Sequence, residues 1–158
     1  MIRVAILTVS DSCAQGKRED VSGQTIKERL PEDKFRMCEK KIVADDHETI
    51  AGELKHFSDK AGIDVVFTTG GTGLGPRDVT PEATAAVCGR IIPGLGEMMR
   101  TEGRKKTKNA VLSRGIAGIR NKTLIINLPG SPKGVKESLE IILDVLPHAV
   151  DMMLGGGH

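Results

Sequence analysis

Strand-like segments alternate along the chain with polar loops and with segments that have the spacing of helices. The strand-like segments cover residues 3–9, 35–43, 64–69 and 123–128, and a shorter one covers 110–113. The third and fourth are short continuous apolar runs, which are typical of strands buried on both faces. Strands that alternate with helices indicate a mostly parallel central sheet with helices on both sides, so we predict an α/β fold, a three-layer α/β/α sandwich.

The segments between the strands carry the start signals of helices. Ser22 stands in the N-cap position of the first helix, and Thr80 and Pro81 stand at the N-cap and N1 positions of another. Ser131 and Pro132 form the same pair before the last helix. The predicted helices cover residues 24–30, residues 45–61, a segment from residue 80, a segment from residue 93 to the basic residues 104–106, and residues 135–146.

The length of 158 residues is that of one domain, since single domains typically have about 100–200 residues. No repeat, low-complexity block or linker divides the chain, so we predict a single domain over residues 1–158. The chain closes with three glycines and a histidine, which makes residues 153–158 a candidate for a disordered tail.

Charge and aromatic content argue against nucleic-acid binding. The chain has 23 Lys and Arg against 21 Asp and Glu, and it has no Trp or Tyr on which bases could stack. Cys13, Cys38 and Cys88 lack the spacing of zinc sites, and we expect free thiols of a reduced compartment. Without a signal peptide or an apolar run of about 18 residues, we expect a cytoplasmic protein with no membrane partner.

Four loops rich in Gly, Ser, Thr and Asp follow predicted strands. They begin at Ser10, Asp45, Gly70 and Pro129. In parallel α/β sheets, ligands bind in the crevice beyond the carboxyl ends of the strands. The four loops are therefore expected to form one polar site.

The loop Thr69-Gly70-Gly71-Thr72-Gly73 has the composition of an anion-binding loop. Its glycines let the backbone approach a ligand with the N–H groups turned inward, and its threonines add hydroxyl donors. No Gly-Lys-Ser/Thr follows as in a P-loop, and Pro76 stands where a dinucleotide-binding loop needs its last glycine. A phosphate or similar anion is the favoured ligand, and a tight turn that contacts no ligand is the alternative.

Asp78 stands close after the Gly-rich loop, where a carboxylate beside a bound phosphate would be repelled. A magnesium ion that bridges carboxylate and phosphate removes this repulsion, and Asp45 at another strand end could supply a second carboxylate. The alternatives are structural, because Asp78 could cap a turn and Asp45 could form a capping box with Glu48. From spacing alone, Asp46 competes with Asp45.

Further donors lie at the remaining strand ends. Lys133 stands in the first turn of a helix, where its charge opposes the helix dipole unless an anion binds between them. Ser113 and Arg114 follow another strand-like segment, and Lys122 is a further donor. No Ser-His-Asp or Cys-His arrangement is apparent, so a covalent acyl mechanism has no support.

Three segments resemble the molybdopterin adenylyltransferases, whose fold also forms the amino-terminal domain of gephyrin. The most specific is residues 69–84, TGGTGLGPRDVTPEAT. The first loop, with Ser10, Asp11, Gly16, Asp20, Ser22 and Gly23, and the segment that contains Ser113-Arg114 and residues 124–133 also match. The resemblance runs from about residue 3 to residue 154.

The resemblance implies a homotrimer that transfers AMP from MgATP to the terminal phosphate of molybdopterin and releases pyrophosphate. The product is then the substrate for molybdate insertion, which implies hand-off to a molybdate-inserting enzyme. The family's two functional aspartates match Asp45 and Asp78, which favours Asp45 over Asp46. We assign both to catalysis and to a magnesium ion. The substrate-binding residues implied by the match are Ser10, Asp11, Ser22, Gly23, Thr69, Gly70, Gly71, Thr72, Gly73, Ser113, Arg114, Pro129, Gly130, Ser131 and Lys133.

One position departs from the family's pattern. The first loop of the family usually reads Ser-Asp-Arg, and here Ser12 follows Asp11. Either a cationic contact to phosphate is lost or Lys17 or Arg18 supplies it. A binding paralogue that holds molybdopterin as a carrier or scaffold is the alternative function, and the run Pro76-Arg-Asp-Val-Thr-Pro81 favours the enzyme.

Overall fold

The structure is a computed structural model that describes residues 1–156. The strands are β1 (Ile2–Val9), β2 (Phe35–Val43), β3 (Val65–Thr69), β4 (Arg90–Ile91), β5 (Ala117–Arg120) and β6 (Thr123–Leu128). The α-helices are α1 (Asp11–Ala14), α2 (Val21–Arg29), α3 (His47–Asp59), α4 (Thr80–Val87), α5 (Pro93–Arg104), α6 (Pro132–Ile142) and α7 (Leu146–Met153). Short 3₁₀ helices cover Lys108–Leu112 and Leu143–Val145.

The C-terminal segment is helical up to Met153, the first residue of the predicted tail. Beyond the helix, the amide of Gly156 donates to the carbonyl of Asp151 at 2.9 Å. Residues 157 and 158 of that tail lie outside the described residues.

The six strands form one sheet in the order β2-β1-β3-β6-β5-β4. Neighbours among β2, β1, β3 and β6 are parallel, whereas β5 is antiparallel to both β6 and β4. Because the crossover helices of parallel strands cover the sheet, these central strands are buried on both faces. The predicted three-layer α/β/α sandwich with a mostly parallel sheet is confirmed.

Alternate residues of each central strand pack into two separate cores. In β1, Val4 and Ile6 join the core beneath α2, α5, α6 and α7, while Ala5 and Leu7 join the core beneath α3 and α4. Each of these four side chains is completely buried. A continuous apolar run therefore serves two helix layers at once.

The antiparallel edge differs from the sequence-based expectation. Residues 108–112 form a 3₁₀ helix, so the predicted strand at 110–113 is wrong. Val111 and Leu112 are 51% and 52% exposed, so their apolar side chains do not mark a buried strand. The prediction also missed β4 and β5, because one has two residues and the other contains a glycine.

Several helix starts are set by residues other than those predicted. The N-cap of α2 is Asp20, whose carboxylate accepts from the Gly23 amide, and Ser22 lies inside the helix. The N-cap of α4 is Val79, which places Thr80 and Pro81 in the first turn. Ser131 caps α6 as predicted. The predicted helix 135–146 ends earlier, at Ile142, and a 3₁₀ turn and α7 follow it.

Two glycines after β3 allow three strand ends to meet. Gly70 and Gly71 have φ angles of 100° and 69°, in the region that side chains disfavour. A Cβ on Gly70 would collide with the carbonyl oxygen of Val9 at the end of β1. A Cβ on Gly130, after β6, would lie 3.3 Å from Gly70 Cα. This close approach places the loops after β1, β3 and β6 around one cleft.

Candidate functional site

A cleft of about 400 Å³ lies at the carboxyl ends of the parallel strands. Its volume is in the range of small-molecule sites, about 300–1,000 Å³. The N-terminal ends of α2 and α6 open into it, and such ends favour bound anions. The lining residues are Thr8, Val9, Ser10, Cys13, Arg18, Glu19, Asp20, Val21, Ser22, Asp45, Thr69, Gly70, Gly71, Asp78, Gly130, Ser131 and Pro132.

Asp45 is fixed in the cleft by a reciprocal pair of hydrogen bonds with Asp11. The Asp11 amide donates to Asp45 Oδ2 at 2.9 Å, and the Asp45 amide donates to Asp11 Oδ1 at 3.0 Å. Arg77 donates to both oxygens of the Asp11 carboxylate, at 2.8 and 3.1 Å. The loop after β1 and the turn after β2 are thereby joined, with the charge of Asp11 matched by Arg77.

The two paired aspartates have opposite electrostatic surroundings. Burial, followed by repulsion from Asp11 and Asp78, raises the pKa of Asp45 above its ordinary value. The guanidinium of Arg77 lowers the pKa of Asp11. Asp45 therefore carries a negative charge that the surrounding protein only partly compensates, and a bound cation would stabilise it.

Asp46, the competitor of Asp45, has a structural role. Its carboxylate caps α3 and accepts from the amide and the hydroxyl of Thr49, at 3.0 and 2.7 Å. These bonds lower the pKa of Asp46. Asp45 lines the cleft and Asp46 does not, which separates the two adjacent carboxylates.

The Gly-rich loop surrounds the carboxylate of Asp78. The Gly75 amide donates to Asp78 Oδ2 at 2.9 Å. A Cβ on either Gly73 or Gly75 would come within 2.9 Å of the same oxygen. These glycines are needed for the close approach of the loop to the carboxylate, and Asp78 lies in the cleft with Asp45.

Arg114 holds the two ends of the segment between Gly73 and Glu82. Its guanidinium donates to the carbonyls of Gly73 and Asp78, at 2.8 and 2.7 Å. The same group forms a bidentate pair with the Glu82 carboxylate, at 2.7 and 3.1 Å. The backbone amide of Arg114 also donates to Thr72 O at 2.9 Å.

Two hydroxyls in the predicted set hold the loop after β6. Thr69 Oγ1 donates to Pro129 O and Ser22 Oγ donates to Gly130 O, both at 2.6 Å. Ser131 then accepts from the Gly134 amide at 3.0 Å as the cap of α6. In this structure the hydroxyls of Thr69 and Ser22 position the loop.

A second cavity, of about 230 Å³, lies next to the same loop. Ser113, Pro129 and Ser131 contribute to its lining, together with apolar side chains such as Met99 and Ile141. Ser131 lines both cavities. The loop after β6 therefore contributes to a polar cleft and to a more apolar cavity.

The structure gathers most of the seventeen predicted site residues around these two cavities. The six that line neither cavity have protein contacts or face outward, as Arg114 and the 80% exposed Lys133 show. The first cleft contains Ser10, Ser22, Asp45, Thr69, Gly70, Gly71, Asp78, Gly130 and Ser131, the second cavity adds Ser113 and Pro129, and the remaining six are Asp11, Gly23, Thr72, Gly73, Arg114 and Lys133.

Some charged groups of the site were not among the predicted site residues, although Asp20 was matched as part of the family's first loop. Asp20 lies in the cleft wall, accepts from Thr8 Oγ1 at 2.7 Å and lies 3.6 Å from Lys40 Nζ. Its place in the matched first loop was the available signal. Of the two cations considered as replacements in the first loop, Arg18 lines the cleft and Lys17 does not. The contact of Arg77 with Asp11 spans 66 positions and had no local signal.

The oxygen donors of the cleft suit a cation that is coordinated partly by protein carboxylates and partly by the phosphates of a bound ligand. Residues 1–156 contain no group of three or more His, Cys, Asp and Glu side chains arranged to hold a metal. Asp45 and Asp78 supply carboxylates, and magnesium typically binds one or two carboxylates together with substrate phosphates and water. Gly73 and Gly75 present no side chain to Asp78 Oδ2. The residues present therefore fit magnesium bound with a phosphate ligand.

Two other expectations concern the described part of the chain. Cys13, Cys38 and Cys88 are free thiols, as predicted. Burial raises the pKa of Cys88 to about 11, so that thiol is protonated at neutral pH. No helix within residues 1–156 combines the length and apolar character needed to cross a membrane.

The pKa of Asp45 predicts a stability change in the Asp45→Asn variant. A folded-state pKa above the unfolded value means that the unfolding free energy falls as pH rises between the two values. At pH 7 the ionised carboxylate therefore lowers stability, and asparagine removes that cost while keeping an acceptor for the Asp11 amide. Thermal unfolding at pH 7 should give a higher Tm for the variant, and the difference should shrink toward pH 4.

Asp46→Asn is the matched control for this experiment. The pKa of Asp46 is lowered, so its ionised form favours the folded state above the unfolded pKa. The control should lose stability at pH 7 and approach the parent protein as pH falls. An Asp45→Asn variant that is no more stable than the parent at pH 7 would contradict the electrostatic description of the cleft.

The family model described as a probable molybdopterin binding domain matches residues 5–148. A molybdopterin adenylyltransferase of Helicobacter pylori is 46% identical over 156 residues, which cover 98% of this chain and 89% of the relative. The molybdopterin adenylyltransferase of Escherichia coli K12 is 38% identical over 146 residues, which cover 90% of this chain and 74% of the relative.

Solved structures agree with this match over the whole chain. The molybdopterin biosynthesis enzyme MoaB of Thermus thermophilus superposes with a TM-score of 0.93 at 48% identity and covers 100% of both chains. The Mog protein of Mycobacterium ulcerans superposes with a TM-score of 0.89 at 40% identity and covers 97% of this chain and 99% of its own. The resemblance in the sequence is confirmed: the chain belongs to the molybdopterin-binding family of molybdenum cofactor biosynthesis that includes the molybdopterin adenylyltransferases.

Proposed function

We propose that this protein is a molybdopterin adenylyltransferase. It transfers AMP from MgATP to the terminal phosphate of molybdopterin and releases pyrophosphate. The observation that carries the proposal is the presence of Asp45 and Asp78 in one cleft, beside a Gly-rich loop and two helix N-termini. The close relatives that carry this activity by name support it.

The two cavities suit the two substrates. The polar cleft, with its carboxylates and helix N-termini, suits the nucleotide phosphates and their cation. The second cavity combines apolar walls with the hydroxyls of Ser113 and Ser131, which suits a flat heterocycle with polar edges. The loop of Pro129, Gly130 and Ser131 contributes to both, so the terminal phosphate of the pterin would lie near it.

The transfer needs positioning and charge neutralisation more than a strong base. An oxygen of the pterin's terminal phosphate attacks the α-phosphorus of ATP, and a new P–O bond forms. The bond from the α-phosphorus to the bridging oxygen breaks, and pyrophosphate leaves with its electrons. A dianionic phosphate is an adequate nucleophile, so this chain's groups hold it in line.

Asp45 and Asp78 are proposed to hold magnesium together with the phosphates of ATP. When bound, the ion neutralises charge on the phosphates and on the departing pyrophosphate. The Gly71 amide and the Lys133 amide in the first turn of α6 are proposed to stabilise the phosphate oxygens. The Gly70, Gly23 and Gly134 amides already donate to Leu128 O, Asp20 Oδ1 and Ser131 Oγ. Asp11 and Arg77 keep Asp45 in place through their hydrogen bonds.

Two cations are proposed to contact phosphate directly. Arg18 lines the cleft in the first loop and supplies the positive charge that Ser12 lacks. Lys133 follows Pro132, which lines the cleft, and lies in the first turn of α6. Its exposed ammonium is 3.9 Å from Glu137 Oε1 in this structure. We propose that a bound phosphate draws this ammonium from Glu137 to the mouth of the cleft.

The remaining predicted residues act through the backbone or through neighbouring groups. We propose that Arg114 contributes by fixing the segment that carries Asp78, since its guanidinium hydrogen-bonds to protein acceptors. Gly23, Thr72 and Gly73 shape the loops around the substrates. The protein is further proposed to be a cytoplasmic homotrimer that passes adenylylated molybdopterin to a molybdate-inserting enzyme.

Asp78→Asn tests the proposed function. The variant removes the negative charge needed to hold the cation but keeps the side-chain shape, so pyrophosphate release should fall by about 100-fold or more. Molybdopterin binding, measured by fluorescence or calorimetry, should stay within about threefold of the parent protein because the pterin cavity is unchanged.

Asp46→Asn is the control, because Asp46 caps α3 and does not line the cleft. It should release pyrophosphate at the parent rate. Normal turnover by Asp78→Asn would refute the metal assignment. Tight pterin binding by the parent protein without any pyrophosphate release would instead identify a carrier.

The role of Arg114 can be tested with its partner Glu82. If Arg114 positions the Asp78 segment, Glu82→Gln weakens that support and kcat should fall by about 3- to 10-fold, with a larger loss in Arg114→Gln. If Arg114 instead binds phosphate directly, Glu82→Gln removes a competing carboxylate and KM for MgATP should fall.

Steady-state kinetics of both variants distinguish these roles, because a positioning role lowers kcat in Glu82→Gln whereas a phosphate-binding role lowers KM for MgATP. The half-exposed ion pair contributes little to folding, so Glu82→Gln should unfold near the parent temperature. Arg114→Gln also loses the hydrogen bonds to Gly73 O and Asp78 O, so it should unfold at a lower temperature. A lower KM with unchanged kcat in Glu82→Gln would contradict the positioning role.

A further inference from the structure

One buried hydroxyl in the described part of the chain lacks a hydrogen-bond partner. It is Oγ1 of Thr80, in the first turn of α4. The residue is 0% exposed, so water does not reach this oxygen from the surface. An unpaired buried hydroxyl costs folding free energy, and native proteins contain few of them.

Three other buried threonines near the strand ends have hydrogen-bond partners. Thr68 and Thr84 both accept from Nδ2 of Asn127 at 3.0 Å. Thr69 donates to Pro129 O at 2.6 Å. The unpaired state of Thr80 is therefore a local property of its position beside the cleft.

Thr80 Oγ1 lies against the Gly-rich loop on the side of Asp45. A Cβ on Gly71 would collide with Thr80 Oγ1 and would come within 3.3 Å of Asp45 Oδ1. The Thr80 amide donates to Gly71 O at 3.1 Å, which fixes the backbone of α4 below the loop. A hydroxyl and a carboxylate oxygen thus face the same side of one glycine.

The carboxylate oxygen is also short of donors. Asp45 Oδ2 accepts from the Asp11 amide, whereas Oδ1 accepts no hydrogen bond from any residue in 1–156. A rotation of the Asp45 carboxylate or of the Thr80 side chain would join the two groups. A donor and an acceptor that pair only when ligand orders the site contribute their free energy to binding and catalysis.

We propose that Thr80 is a positioning residue of the transfer site, whose hydroxyl donates to Asp45 Oδ1 when MgATP is bound. The inference rests on the proposed function. This hydrogen bond would direct Asp45 Oδ2 and the plane of its carboxylate toward the cation. The Asp78 carboxylate is oriented separately, by the Gly75 amide. The unpaired hydroxyl in the free protein is the cost of this arrangement.

Thr80→Val tests the inference because valine has the shape of threonine without the hydroxyl. In the ligand-free protein the variant should have a higher Tm, since it removes an unpaired buried polar group. In the presence of substrates its kcat should fall by about tenfold or more, and its affinity for MgATP, measured by calorimetry, should weaken. Thr80→Ser keeps the hydroxyl and should restore kcat to near the parent value.

Thr84→Val is the matched control. Thr84 lies in the same helix and is equally buried, but its hydroxyl accepts from Asn127. This variant leaves an amide hydrogen without its acceptor, so its Tm should fall while its affinity for MgATP stays unchanged. The two valine variants are therefore expected to change stability in opposite directions.

Three results would overturn the inference. They are a lower Tm for ligand-free Thr80→Val, a parent-like kcat and MgATP affinity in that variant, and a failure of Thr80→Ser to restore kcat. Failure of the proposed function is recognised separately, because the parent protein would then release no pyrophosphate. A parent protein that is active alongside an equally active Thr80→Val variant refutes only the role of Thr80.

Discussion

The close approach of three backbones at Gly70 is the constraint on which the site depends. The carbonyl of Val9 occupies the space of a Gly70 side chain, and Gly130 lies against Gly70 from the other direction. Because β1, β3 and β6 are neighbours in the sheet, this contact brings their carboxyl-terminal loops together. The cleft exists because small residues at these loops let the backbones meet, and the polar side chains are held around that point.

Hydrogen bonds across the loops then distribute charge unevenly over the cleft. Arg77 compensates Asp11, and Arg114 compensates Glu82. Within residues 1–156, Asp45 forms no ion pair with a basic side chain, and its raised pKa reflects burial and neighbouring carboxylates. A bound cation with nucleotide phosphates would relieve this imbalance. The uncompensated charge of Asp45 therefore lowers the stability of the free protein and strengthens the binding of the cation. Thr80 follows the same pattern with a hydroxyl in place of a charge.

Local sequence patterns predicted the parallel part of the fold and much of the cleft, because buried strands and Gly-rich loops have local signals. They failed where contacts between distant segments determine the secondary structure or the position of a side chain. The apolar residues 111 and 112 lie on the surface, and Gly118 in β5 packs against Cys88, so the antiparallel edge was missed. The resemblance to the family favoured Asp45 over Asp46. Spacing alone could not separate them, because both are adjacent carboxylates at the start of α3 and only the structure shows that Asp46 caps the helix. The contacts of Arg77 and Arg114 join distant segments and could not be predicted from spacing.

The transfer of a labelled phosphorus from ATP tests the central claim most directly. The parent protein would be incubated with magnesium, molybdopterin and ATP labelled at either the α- or the γ-phosphorus. We expect the α label on the pterin and the γ label in pyrophosphate, and we expect neither product without molybdopterin. A γ label on the pterin, or release of pyrophosphate that does not require molybdopterin, would contradict that claim.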